Sequence, residues 1–115
     1  MISGMTPQPR EVVLLRFPFT DLSATKLRPV LVLTPPNSNG DFVAAQITSQ
    51  CHPALEVPVT AADFELGVLP KPSIVRADKI FTLNQALIAR RVGKVNDAAL
   101  ARILDAICRF LSCRP

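Results

Sequence analysis

The stretch RPVLVLTPPNSNGDFVAAQITS, residues 28–49, decides the fold class of this 115-residue chain. Two apolar runs, RPVLVLT and FVAAQITS, flank the segment PPNSNGD, which is dense in turn-forming residues. Short apolar runs bounded in this way are typical of β-strands joined by a tight turn. This stretch therefore predicts two strands of a β-rich domain.

Further short strands are predicted on both sides of this pair. EVVLLRF precedes it, EVPVT follows it with a proline typical of an edge or a bulge, and SIVRADKIFTL and IARRVGKV come later. The segment AADFELGVLPKP, residues 61–72, has no clear period and has room for one helical turn. Five or six short strands separated by turns predict a small antiparallel barrel or sandwich.

The last segment changes its hydrophobic period from strand-like to helical. Asn96 or Asp97 can cap a helix, and charged residues fall off the apolar stripe that follows. The stripe consists of Leu100, Ile103, Leu104, Ile107, Phe110 and Leu111. We therefore predict an amphipathic helix over residues 97–112 that covers the barrel.

The length of the chain fits one domain, because about 115 residues bury roughly two thirds of the surface that the unfolded chain exposes. Residues 1–9, MISGMTPQP, contain two prolines and no periodicity, and we expect a flexible arm there. Residues 10–115 are predicted to form a single domain that includes the helix. No apolar run approaches the roughly 20 residues of a membrane span, so we expect a cytoplasmic protein with no membrane partner.

The net charge of +4 is unevenly distributed along the chain. Residues 29–70 carry four acidic groups and no lysine or arginine, whereas residues 71–94 carry six basic groups against Asp78 alone. A local positive field of this kind attracts a polyanion, and nucleic acid is the commonest one.

Several familiar kinds of site are missing from the sequence. There is no GxGxxG, P-loop or GxSxG motif, and His52 is the only histidine, which leaves no two-histidine nuclease mechanism. The carboxylates are scattered, and Cys51, Cys108 and Cys113 lack metal-ligand spacing and are interpreted as free thiols. We therefore expect no catalytic metal and no other cofactor.

The strand SIVRADKIFTL, residues 73–83, contains an unexplained pair of charges. With the period of two that a strand imposes, Arg76 and Asp78 share a face with Ile74 and Ile80. The pair is either a solvated ion bridge on an ordinary strand or part of a site that holds a polar ligand.

Other polar residues are predicted at strand ends. Arg28 opens the second strand, and Thr48 and Ser49 close the third. Neighbouring strand ends of a small barrel can converge, so these residues could share one rim with Arg76 and Asp78. Each also has a structural interpretation, Arg28 as a charge flanking a strand and Thr48 as a β-branched strand residue.

The sequence resembles the PemK/MazF family of toxin–antitoxin endoribonucleases over residues 9 to about 112. EVVLLRFPFTDLSATKLRPVLVLT, AAQITS, KPSIVRADKIFTL and IARRVGKV carry the resemblance, in this order. It implies an SH3-like barrel with a C-terminal helix, a homodimer, and metal-independent cleavage of single-stranded RNA. It also implies a cognate antitoxin whose acidic tail occupies the RNA groove and with which the toxin binds DNA.

The resemblance implies specific site residues. The family's catalytic positions fall on Arg28, Thr48, Arg76 and Asp78. Candidate RNA contacts are Ser49, Lys26, Lys71, Lys79, Arg90 and Arg91. The last four are chosen for their charge and could instead form a solvated basic face.

Three departures from the family concern the start of the chain. Arg10 replaces a glycine that often precedes the first strand, and DLSATKL replaces the usual first loop. That loop shapes access to the groove, so the cleaved RNA sequence does not carry over. A first-loop histidine is also missing, which leaves Thr20, Asp21 and Lys26 as the local polar groups.

RNA cleavage without a metal uses the substrate's 2′-hydroxyl as the nucleophile. Arg28 and Arg76 fit the stabilisation of charge on the phosphate, and Asp78 is the best candidate for the general base. A neighbouring arginine lowers the pKa of a carboxyl group, which weakens Asp78 as a base. Bases of single-stranded RNA stack on flat side chains, for which Phe19, Phe64 and Phe81 are the candidates, although a phenylalanine in a small barrel is more often core.

Two other function classes fit the same sequence. One is a CcdB-like toxin that poisons DNA gyrase by binding and leaves RNA intact. The other is an RNA-binding module without catalysis, whose affinity would fall steeply with salt.

Overall fold

The computed structural model describes residues 6–16, 27–49 and 56–113. These residues form seven strands in one antiparallel sheet, which curls into a half-barrel, and one C-terminal α-helix. The strands are β1 (Glu11–Arg16), β2 (Leu27–Val32), β3 (Asp41–Thr48), β4 (Glu56–Val59), β5 (Phe64–Gly67), β6 (Ser73–Asn84) and β7 (Ile88–Val95). The sheet order is β4-β6-β3-β2-β1-β7-β5, and the predicted fold class is confirmed.

Two cores form because the sheet buries apolar side chains on both faces, which explains why several strands are apolar almost throughout. The helix-side core consists of Val12, Leu31, Ala45, Ile47, Val57, Val59, Val75, Ala77, Val95, Ala99, Ile103 and Ile107. The second core consists of Val13, Leu15, Val30, Val32, Phe42, Ala44 and Leu83.

The described sheet has one strand more than the largest number predicted, because part of the segment predicted to be irregular is extended. One turn of 3₁₀-helix over Ala61–Asp63 leads directly into β5, which pairs with β7. Gly67 has a positive φ of 67° and pairs with Gly93, and a Cβ atom on either glycine would clash with the opposite strand. Two glycines thus let β5 approach β7 closely, and the hydrophobic period does not reveal this.

Strand β6 changes face in its middle, which the period-two prediction missed. Ala45 of β3 pairs with Ile80, whereas Ile47 pairs with Val75. Between these two pairs β6 runs over five residues and β3 over two, so β6 contains a large bulge. Ile80 consequently packs against the helix-side core and does not continue the face of Arg76.

The helix α1 spans Asp97–Leu111, one residue less than predicted. Asn96 is its N-cap, because its side-chain oxygen accepts a hydrogen bond from the backbone N–H of Ala99 at 2.8 Å. Of the predicted stripe, Ile103 and Ile107 are buried. Three other members of the stripe are exposed, namely Leu104, Phe110 and Leu111.

The described part of the predicted N-terminal arm is residues 6–9, in which Pro7 is buried. Residues 1–5 of that arm lie outside the described residues, and the division into an arm and a single domain stays a prediction. None of the helices in the described ranges has the length and apolar character needed to cross a membrane.

Candidate active site: a cationic groove beyond the second core

An open groove of about 950 Å³ is lined by residues of β1, β2, β3, β6 and β7. Five cationic residues are among the described residues that line it, and no carboxylate is. The cations are Arg28, Lys71, Arg76, Arg90 and Arg91. Thr48 and Ser49 add two hydroxyl groups to the same lining. A groove with this lining favours an anionic ligand.

Strand alternation explains how the second core leads into this groove. Arg28 precedes the buried Val30 of β2 by two residues, and Gln46 and Thr48 follow the buried Ala44 of β3 by two and four. Side chains two residues apart share a face of the sheet. The face that is apolar in the second core therefore becomes polar as the strands run into the groove.

Arg76 is held in place by Asp78 on the same strand. The carboxylate accepts two hydrogen bonds, from Nε at 2.8 Å and from Nη2 at 2.6 Å. The side chains of Arg76 and Asp78 are only 13% and 21% exposed. The hydrogen bond from Arg76 lowers the pKa of Asp78 below its ordinary value of 3.8, so the pair is ionised at neutral pH.

Arg28 presents a second guanidinium group to the groove. Its Nε is buried, and no acceptor for it exists among the described residues. A buried donor of a charged group that lacks an acceptor costs free energy, which an anion bound at the guanidinium group offsets. This feature favours the binding of an anion at Arg28.

The β7 side of the groove is more exposed. Arg91 forms an ion pair with Glu11 at 3.0 Å and donates to the carbonyl oxygen of Thr6 at 2.8 Å. Arg90 and Lys71 are exposed, and neither side chain has a hydrogen-bond or ion-pair partner among the described residues. Exposed basic side chains of this kind can bind successive phosphates of a nucleic-acid backbone.

The groove brings together most of the predicted site residues. Arg28, Thr48 and Arg76 line it together with four predicted RNA contacts, namely Ser49, Lys71, Arg90 and Arg91. Asp78 and Lys79 are not among the lining residues, and Lys79 is exposed. Thr20, Asp21 and Lys26 lie outside the described residues.

The candidate stacking residues are in different places. Phe81 packs against the second core, whereas Phe64 packs against the helix-side core and also lines a smaller pocket next to the groove. Phe19 lies outside the described residues, as do Cys51 and His52.

Sequence reasoning missed several residues that line the groove. Gln46 is a single polar residue inside an apolar strand, and that contrast was a usable signal. Residues 68–70 and Ser73 also line the groove, but no charge or period distinguishes them in the sequence.

The described residues contain no group of three or more His, Cys, Asp or Glu side chains that could hold a metal ion. In the same ranges, Cys108 is half-buried and Cys113 is exposed, and both are free thiols.

Solved structures with the same fold include MazF of Deinococcus radiodurans, at 26% identity and a TM-score of 0.73, with 93% of this chain and 97% of that chain covered. The MazE–MazF complex of the same organism matches at 25% identity and a TM-score of 0.71, with 95% and 98% covered. An endoribonuclease in complex with its cognate antitoxin from a mycobacterial species matches at 23% identity and a TM-score of 0.72, with 95% and 98% covered. At 23% identity the similarity concerns the fold alone.

A comparison with curated protein sequences gave no match. The family of PemK-like, MazF-like toxins of type II toxin–antitoxin systems matches over residues 8–111, which is nearly the whole chain. With its fold and its family match in agreement, the chain belongs to this toxin family.

Proposed function

We propose that this chain is the toxin of a type II toxin–antitoxin system and cleaves single-stranded RNA without a metal, which inhibits translation and growth. The observation that carries the proposal is the convergence of Arg28, Thr48, Ser49 and Arg76 from three strands on one groove. Cationic and hydroxyl donors that converge in this way suit a phosphate group on which charge develops.

RNA cleavage without a metal uses the 2′-hydroxyl of the substrate as the nucleophile. The 2′-oxygen of the RNA attacks the adjacent phosphorus, the bond to the 5′-oxygen breaks, and a 2′,3′-cyclic phosphate and a 5′-hydroxyl form. The proton lost by the 2′-hydroxyl is balanced by the one that the leaving oxygen gains. Arg28 and Arg76 stabilise the charge on the phosphate, and Thr48 and Ser49 donate hydrogen bonds to its oxygens.

Asp78 acts through Arg76 in this proposal. Both of its carboxylate oxygens accept hydrogen bonds from the guanidinium group, its pKa is lowered, and it is not among the groove-lining residues. A carboxylate in such a position is a weak base and a good anchor. Asp78 is therefore a positioning residue that orients Arg76 toward the phosphate.

The charge of the groove bears on the antitoxin as a partner. A cationic groove that binds RNA also suits the acidic tail of a cognate antitoxin, which would block the substrate. The solved MazE–MazF complex from Deinococcus supports an antitoxin partner for this chain. A homodimer, and DNA binding by the complex with the antitoxin, complete the proposal.

The test uses purified protein with single-stranded RNA in excess EDTA. Wild-type protein is expected to cut the RNA and to leave 2′,3′-cyclic phosphate and 5′-hydroxyl ends, detected by mass spectrometry. The matched control is the same RNA with a 2′-deoxy nucleotide at the mapped cut, which is expected to stay intact. RNA that stays whole while gyrase is inhibited, or that is bound but never cut, would contradict the proposal.

A further inference from the structure

An apolar pocket of about 240 Å³ lies next to the cationic groove. Residues 68–71 line both cavities, so a single segment of chain forms the wall between them. The rest of the pocket is lined by residues 59–61, Phe64 and Pro72. A charged groove and an apolar pocket that share one wall suit a ligand with a charged part and an apolar part.

The flat side of such a ligand would meet Phe64. This residue begins β5 and is half-buried, and its ring packs against Gly93, where an added Cβ atom would lie 3.0 Å from the ring carbon Cδ2. Because Gly93 has no side chain, the ring of Phe64 on β5 can lie directly against β7. A ring held in this way loses little conformational entropy when a ligand stacks on it.

The shared wall carries both apolar surface and charge. Val68 is 52% exposed at the rim, and Lys71 lines both cavities. The hydroxyl group of Ser73 donates to the carbonyl oxygen of Lys71 at 2.9 Å, which fixes the end of the wall. Lys71 is therefore placed to bind a phosphate while the adjoining apolar group lies in the pocket.

We propose that this pocket binds one unpaired nucleobase of the RNA whose backbone lies in the groove, stacked on Phe64. The inference rests on the proposed function, because it takes RNA as the ligand of the groove. Stacking on an aromatic side chain is the usual way in which proteins hold a base of single-stranded RNA. The pocket thereby contributes to the choice of the RNA sequence that is bound next to the cut.

The test measures equilibrium binding of a fluorescent single-stranded RNA in EDTA. A 2′-deoxy nucleotide at the mapped cut prevents cleavage of this RNA during the titration. If the protein does not cut, the RNA is used without this modification. In a series of such RNAs, an abasic nucleotide replaces each position in turn. One abasic position is expected to weaken binding by wild-type protein about tenfold. In Phe64→Leu the same abasic position should have almost no effect, because the base has lost its platform.

Leu66→Ala is the matched control, since Leu66 lies in the same strand, is 63% exposed and lines neither cavity. It should keep the tenfold abasic penalty. If Phe64→Leu does not fold, as judged by circular dichroism, Val68→Ala replaces it and should reduce the penalty.

The base site would be overturned if each abasic nucleotide weakened binding equally in wild-type protein and in the pocket variant. It would also be overturned if no abasic nucleotide weakened binding by wild-type protein. If wild-type protein cuts RNA but the abasic penalty does not depend on the pocket residue, the base site fails while the proposed function stands. If the protein never cuts RNA but the abasic penalty disappears in the pocket variant, the base site stands and the nuclease proposal fails.

Discussion

The two walls of the groove both present arginines, but they hold them differently. On β6, Arg76 is 13% exposed and is fixed by two hydrogen bonds to a carboxylate two residues away. On β7, Arg91 is 43% exposed and pairs with Glu11 of β1, while Arg90 has no partner in the described part of the chain. One wall holds its arginine oriented and largely buried, and the other holds its arginines exposed.

The contrast shows how one groove can combine two tasks. A guanidinium group that is already oriented loses little free energy by reorganisation when charge develops beside it, and it suits the transition state. An exposed arginine follows phosphates of varied geometry and contributes mainly to salt-dependent binding. Variants on the buried side should therefore change kcat, and variants on the β7 side should change KM.

The largest effect is expected for Arg28→Ala. Removal of a donor aimed at developing charge lowers kcat by about 100- to 1,000-fold with little change in KM. Steady-state cleavage of an RNA oligonucleotide measures both constants. Arg16→Ala is the control, because Arg16 is exposed at the end of β1 and does not line the groove. A variant of Arg28 that keeps the wild-type kcat would contradict the role of Arg28 in stabilising charge on the phosphate.

A smaller loss is expected for Asp78→Asn, which weakens the anchor of Arg76 but leaves Arg76 in the groove. Misplacement of a catalytic group lowers kcat by roughly 10- to 100-fold. The pH–rate profile distinguishes a positioning residue from a base. If Asp78 positions Arg76, the residual activity keeps the shape of the wild-type profile. Disappearance of the acidic limb would instead identify Asp78 as the general base.

Arg90→Ala should change binding and leave the chemistry intact. We expect KM to rise several-fold at unchanged kcat. The slope of log affinity against log salt should become shallower by about 0.7 for each phosphate of the single strand that the variant no longer neutralises. Arg91→Ala should change these quantities less, because Glu11 and Thr6 already engage its guanidinium group. Binding titrations at several salt concentrations test both variants, and a drop in kcat for Arg90→Ala would contradict the division between the walls.

The smallest effect concerns stability against pH. The folded-state pKa of Asp78 is lowered from 3.8, so its contribution to the free energy of unfolding is present above that value and is lost as the pH falls through the lowered pKa. Wild-type protein should be more stable than Asp78→Asn by about 1 kcal/mol near neutral pH, and the difference should shrink and vanish as the pH falls below 3.8 and through the lowered pKa. Urea unfolding at a series of pH values measures it. A constant difference at all pH values would contradict an ionised anchor.

Much of the fold could be predicted from the sequence because local patterns determine it. The segment IARRVGKV forms β7 over Ile88–Val95 as predicted, and the helical period of the last segment gives α1 to within one residue. Strand β5 was missed because its place depends on a close approach of Gly67 to Gly93, which are far apart in the chain.

The groove was only partly predictable for a similar reason. Polar residues at strand ends indicated Arg28 and Thr48, and the pair of charges within a strand indicated Arg76. The structure brings these three to one groove. The bulge in β6 depends on pairing with β3, which no period within β6 reveals. The wall of residues 68–71 is set by tertiary packing and has no motif of its own.

The most direct test of the account is the single-turnover cleavage rate of Arg76→Ala beside that of Arg90→Ala, at saturating single-stranded RNA in EDTA. Circular dichroism and thermal unfolding first establish that both variants are folded. The account predicts that Arg76→Ala cuts at least about 100-fold more slowly than Arg90→Ala, which should match the wild type. Rates for the two variants within a few-fold of each other would contradict it.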